Sequence, residues 1–131
     1  MHLSGSGKIL LVEDSDEILE LMAMMLSNGR QILKARNGAE AVYEYRTHKP
    51  DLVFMDIVMP VLDGIEATRE IVKFNPEAKI IGVTAYYTSK SKEMLDAGAR
   101  EVIRKPFTVK QLIEIVKKYM PNDTDSGCKG S

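Results

Sequence analysis

Four short stretches of the chain are apolar without alternation: KILLV (8–12), DLVFM (51–55), KIIGV (79–83) and EVIR (101–104). Runs that are apolar on both faces suit strands of a parallel sheet covered by helices on each side. A fifth stretch, QILKA (31–35), has fewer apolar positions and suits an edge strand. Between these runs the period lengthens. Ile18, Leu21, Met22, Met25 and Leu26 follow the i, i+3, i+4, i+7, i+8 spacing of a helix with one buried stripe, with Ser15 as its N-cap. Helical stripes also run through Ala41, Val42 and Tyr45, through Ile65, Thr68, Ile71 and Val72, and through Val109, Leu112, Ile113 and Val116. A shorter helix in SKSKEMLDAGA ends at Gly98, a suitable C′ residue. The order is β-α five times, with no internal repeat and no long linker. It predicts a parallel α/β sheet whose right-handed crossovers place helices on both faces.

Composition narrows the function. The 131 residues, 44% of them hydrophobic, match one ordinary domain with a real core. With 18 Lys plus Arg against 19 Asp plus Glu, the net charge of −1 provides no field for nucleic acid or an anionic membrane, so neither is expected as a partner. A single cysteine, Cys128, sits in a polar tail and has no internal disulfide partner, which points to a reduced, cytoplasmic setting. No apolar run approaches the roughly 20 residues that span a bilayer, and the N-terminus lacks a signal-peptide core. Residues 1–7 and 121–131 read as flexible ends, natural or left by cloning, around a domain at 8–120.

In a sheet of this kind ligands bind beyond the carboxyl ends of the strands. Glu13 and Asp14 follow the first strand, Asp56 the third, Thr84 the fourth, and Lys105 with Pro106 the fifth. Each has an ordinary reading alone: Asp56, Glu13 and Asp14 as helix caps, Thr84 as a loop hydroxyl, Lys105 as a surface lysine. Together they bring three acids, a hydroxyl and an ammonium to one rim. Crowded carboxylates repel, and a hard cation with oxygen ligands and room for water, such as Mg²⁺, relieves the repulsion. No Cys or His lies at these strand ends, which disfavours zinc; His48 ends a helix and His2 belongs to the N-terminal segment. With the cation bound, one acid can attack phosphorus and become an acyl phosphate, while Mg²⁺, lysine and threonine neutralise or hydrogen-bond the phosphoryl oxygens. The three methionines Met22, Met24 and Met25 read as core filler rather than a soft-metal site.

Along residues 8–120 the stretches ILLVEDS, NGAEAV, PDLVFMDIVMPVLDGIE, IIGVTA and AGAREVIRKPF, closed by an amphipathic helix, resemble a response-regulator receiver domain, the phosphoacceptor of two-component systems. The resemblance implies a flavodoxin-like (βα)5 fold with strand order 2-1-3-4-5. It implies that Asp56 is phosphorylated by a sensor histidine kinase or phosphotransfer protein. Asp14 and Asp56 would bind Mg²⁺ directly, Glu13 through water, and the main-chain carbonyl of Val58 would be a further ligand. Thr84 would be the switch hydroxyl, Lys105 the phosphate contact, and Lys105-Pro106 a cis peptide. Gly64 would be the structural residue of the turn before the third helix, and Asp63 reads as a cap or a surface acid rather than a further ligand.

Two positions depart from the family pattern. Val102 stands three residues before the lysine, where an aromatic often reports the threonine's movement, so Tyr86 and Tyr87 would take over part of the signal, or Tyr86 would shield the acyl phosphate from water. Val58 is apolar where fast-hydrolysing relatives carry a polar group, which implies slow self-dephosphorylation. It also removes the second acid that a haloacid-dehalogenase-type phosphatase needs. A flavodoxin would need a hydroxyl-rich phosphate loop where EDSDE stands. A pseudo-receiver that only contacts proteins is the remaining alternative, opposed by the intact acid, hydroxyl and lysine set. The output expected is a contact: a target protein or a second copy reading the face of helix 4, strand 5 and helix 5.

Overall fold

Five parallel strands, β1 (Lys8–Val12), β2 (Gln31–Ala35), β3 (Leu52–Asp56), β4 (Ile80–Thr84) and β5 (Glu101–Arg104), stand in the order β2-β1-β3-β4-β5. The structure is a computed structural model and describes residues 7–59, 61–85 and 89–121. Helices α1 (Asp16–Leu26), α2 (Gly38–His48), α3 (Gly64–Phe74), α4 (Ser89–Ala97) and α5 (Val109–Tyr119) follow the strands in turn. The expected doubly wound architecture, strand order and edge position of QILKA are the observed ones. Strands β3 and β4 start and end one residue later than their apolar runs suggest, because main-chain pairing does not depend on side-chain polarity. Ile57 N–H donates to the Val83 carbonyl (3.0 Å) and Lys105 N–H to that of Thr84 (2.7 Å), so the ladder runs through Asp56 and Thr84.

Successive strand residues feed opposite faces of the sheet. Leu10, Val12, Val53, Met55 and Ile80 join one core with Ala41 and Tyr45 of α2, Ile65 and Ile71 of α3, and Met94 of α4. Ile9, Leu11, Leu52, Phe54, Ile81 and Val83 join the other with Leu19, Met22 and Leu26 of α1 and Leu112, Ile115 and Val116 of α5. All five residues of β3 and of β4 are buried, whereas β2 and β5 are partly open, as edges are. Among the described residues no helix is long and apolar enough to cross a membrane.

Helix α1 differs in rotation from the expected stripe. Leu19, Met22, Ala23 and Leu26 are buried, Ile18 and Met25 are half-buried, and Leu21 is 49% exposed. Residues 21–26 are all apolar, so more than one stripe fits their periodicity and only the sheet selects between them. Of the three methionines, Met22 fills the core and Met24 faces solvent. In α5, Val109 likewise stays outside the core, and Ile115 takes its place in the buried stripe.

Side-chain oxygens cap the helix starts. Ser15, Asn37, Asp63 and Thr108 accept N–H bonds from Ile18, Glu40, Glu66 and Gln111, satisfying donors that the helices leave unpaired. Gly98 follows α4 with φ 124, as its C′ role requires. Helix α2 instead ends on Lys49, held left-handed at φ 48 while its N–H donates to Tyr45 O. A side chain with a Cβ is strained there, so Lys49→Gly should raise stability by about 0.5–1 kcal/mol, read as a higher urea midpoint with an unchanged slope. A lower midpoint would contradict it.

Candidate functional site

The carboxyl ends of four strands deliver the predicted residues to one place. Glu13 follows β1 and is fixed by its N–H bond to Ala35 O (3.0 Å), which extends the β1–β2 ladder. Its side chain is buried: Oε1 accepts from Lys105 Nζ at 2.9 Å and Oε2 from Ser15 N–H at 3.1 Å. Lys105 Nζ also lies 3.6 Å from Asp56 Oδ2, a charge contact longer than a hydrogen bond. Asp56, 6% exposed, closes β3, and Asp14 stands at the open edge. One carboxylate oxygen from each of Glu13, Asp14 and Asp56 lies within 4.8 Å of the others.

Three carboxylates thus face one ammonium. Burial, then the charges of Glu13 and Asp14, push the Asp56 carboxyl up to about 7, against the opposing pull of Lys105 and a hydrogen bond from the Val58 main chain. Burial works against the charge of Lys105 too, but its hydrogen bond to Glu13 and the charge of Asp56 outweigh this and hold the lysine above its usual value. A divalent cation would supply the charge this cluster lacks. The donor set of Glu13, Asp14 and Asp56 is all oxygen, with no His or Cys among the described residues of the cluster, and fits a hard ion such as Mg²⁺.

Thr84 ends β4, buried, beside the lysine strand. The Lys105-Pro106 peptide is cis. Val102 lies half-buried opposite Gly82 in the β4–β5 register and packs on the core beneath α4, a seat with apolar neighbours. Tyr86 and Tyr87 lie outside the described residues. Val58 turns its side chain to solvent beside Asp56. Asp63 caps α3 rather than joining the acids. Gly64 N–H donates to Ile57 O (2.8 Å), and a Cβ on Gly64 would stand 2.1 Å from the Asp56 carbonyl oxygen.

One contact and one backbone angle near the site escape the sequence reading. Gly38, inside the NGAEAV motif, donates its N–H to Leu62 O (2.8 Å), and Val61 in the β3–α3 loop adopts φ 70. Gly38 leaves a signal in the sequence as a glycine just after a helix cap. Val61 leaves none, because a β-branched residue is poorly suited to that conformation.

Residues 9–117 match the family model of the response regulator receiver domain. The chemotaxis protein CheY of Halobacterium salinarum is 42% identical over 115 residues, which cover 86% of this chain and 96% of that protein. A CheY-like receiver domain protein from Methanospirillum hungatei superposes with a TM-score of 0.84 at 28% identity, covering 93% of this chain and 99% of that one. The receiver domain of a Pseudomonas aeruginosa sensor histidine kinase, solved with magnesium in its active-site cleft, has a TM-score of 0.82 at 32% identity, over 88% and 98% of the two chains. The five-stranded order, the converging acid, hydroxyl and lysine groups and these likenesses agree: the chain belongs to the response regulator receiver domain family.

Proposed function

We propose that Asp56 accepts a phosphoryl group from a sensor histidine kinase or phosphotransfer protein, with Mg²⁺ held by Asp14 and Asp56, by Glu13 through water and by the Val58 carbonyl. The reading rests on one observation above all: Lys105 Nζ sits 2.9 Å from Glu13 and 3.6 Å from Asp56, beside a cluster of three acids whose negative charge it only partly offsets. When bound, Mg²⁺ supplies the positive charge that the attacking carboxylate and the incoming phosphoryl oxygens both require. An Asp56 oxygen bonds to phosphorus as the donor's P–N or P–O bond breaks and the donor leaves with its electron pair. Lys105 stands beside the acceptor to pair with a phosphoryl oxygen, and the Thr84 hydroxyl, on the neighbouring strand end, donates to another.

The chain acts as a phosphoacceptor that catalyses its own phosphorylation and slow dephosphorylation rather than turning over an ester. It works in the cytoplasm, with the receiver unit at 8–120. Movement of Thr84 would bias the α4–β5–α5 face that a target protein or second copy reads. Acetyl phosphate with Mg²⁺ should give one hydroxylamine-labile adduct per chain, seen as added phosphate mass. Asp56→Asn should abolish it, and labelling that persists in that variant would sink the assignment.

A further inference from the structure

Ile57 and Leu62, on either side of the connection between Asp56 and α3, each accept an N–H bond from a glycine that has no room for a side chain. Gly64 N–H donates to Ile57 O, and a Cβ on Gly64 would collide with the Asp56 carbonyl oxygen. Close to α3, Gly38, the first residue of α2, donates to Leu62 O at 2.8 Å; a Cβ there would stand 2.2 Å from that oxygen and 2.8 Å from the Leu62 carbonyl carbon. Neither glycine has a positive φ, so close approach alone explains both. Between the grips Val61 is left-handed at φ 70 and 82% exposed, with no burial to compensate it. A β-branched residue in that region is strained and persists where its surroundings over-determine the backbone.

We infer that Gly38 is a positioning residue for the metal site: its grip on Leu62, with Val61 strained beside it, fixes the end of the β3–α3 connection and so keeps the Val58 main chain turned to the cation. The inference rests on the Mg²⁺ reading above and extends it to a residue 18 positions from Asp56. Helix α2 contributes none of the three acids of the cluster. It acts as the anvil against which the loop is set, and its motif glycine is required by space, not by helix formation. Val61 is where the strain resides, since Leu62 is tied to α2 and Asp63 is committed to capping α3.

The test is a pair of variants that pull stability and affinity apart. Val61→Gly removes the strain and frees the loop. The metal-free protein should melt at the same temperature as the parent or higher, while its Mg²⁺ dissociation constant, from calorimetric titration, rises roughly 10-fold, the scale of lost support around metal ligands. Gly38→Ala should raise that constant by at least as much. In ¹⁵N–¹H spectra of the metal-free proteins, amides of residues 57–59 should broaden or shift in both variants. Loss of stability together with affinity in Val61→Gly, or parental affinity in both variants, overturns the inference alone. A parent chain that fails to bind Mg²⁺ overturns the metal reading and this inference together.

Discussion

Gly64→Ala is expected to destabilise the protein by about 2–4 kcal/mol, although alanine is the better helix former by up to about 1 kcal/mol. Gly64 opens α3 with a backbone that any residue adopts, so φ and ψ give no reason for the cost. The reason is space. An added methyl would stand 2.1 Å from the Asp56 carbonyl oxygen, 2.9 Å from Ile57 Cα and 3.0 Å from the Asp56 carbonyl carbon. All three are backbone atoms at the end of the central strand, and none can turn aside as a side chain does. Relief would need α3 to back away from β3, opening the core around Ile65 and Ala67 and stretching the Gly64–Ile57 hydrogen bond. Urea unfolding reads the effect as a lower midpoint at unchanged slope. Because the displaced atoms belong to Asp56, acetyl phosphate labelling should fall in the same variant. A midpoint equal to or above the parent's would mean that helix propensity, not contact, governs this position.

The parts of the molecule set by local pattern are those the sequence shows. Strands β1, β3 and β4 are legible because burial on both faces makes them uniformly apolar, and β2 because an edge relaxes that demand. Asp56, Glu13, Thr84 and Lys105 are legible because parallel topology sends every strand's carboxyl end to the same rim, where polar residues after apolar runs stand out. What the pattern cannot resolve is rotation and close approach. Residues 21–26 of α1 offer apolar side chains to several directions, and only packing puts Leu21 outside and Ala23 inside. The grip of Gly38 on Leu62 joins residues 24 positions apart through backbone atoms, which leave no mark on composition or period. Val61 goes further: its residue type argues against the conformation it holds, as strain at a functional loop is expected to do.

In the metal-free protein Asp56→Asn should be the more stable form at pH 8, by roughly 1–3 kcal/mol, and the advantage should vanish near pH 4. The direction follows from where the Asp56 carboxyl titrates. Burial, reinforced by the charge of Glu13, raises it to about 7 in the folded chain, whereas in the unfolded chain it returns to about 4. Between those values the folded state holds a proton that the unfolded state has lost. Stability from this group is therefore greatest below the unfolded value, declines as pH climbs toward 7, and stays low above it. Asparagine carries no such titration and leaves the Lys105–Glu13 hydrogen bond at 2.9 Å without a rival acid. Urea unfolding of parent and variant in EDTA at several pH values reads Asp56 together with the charges coupled to it, Glu13, Asp14 and Lys105, since carboxylates remote from the cluster cancel in the difference. A difference that is flat with pH, or a variant less stable than the parent at pH 8, would contradict the raised titration. Mg²⁺ supplies an independent arm. If the cation occupies the cluster, it should displace about half a proton from Asp56 at pH 7 and shrink the gap between parent and variant, because the charge that destabilised the empty site becomes a ligand.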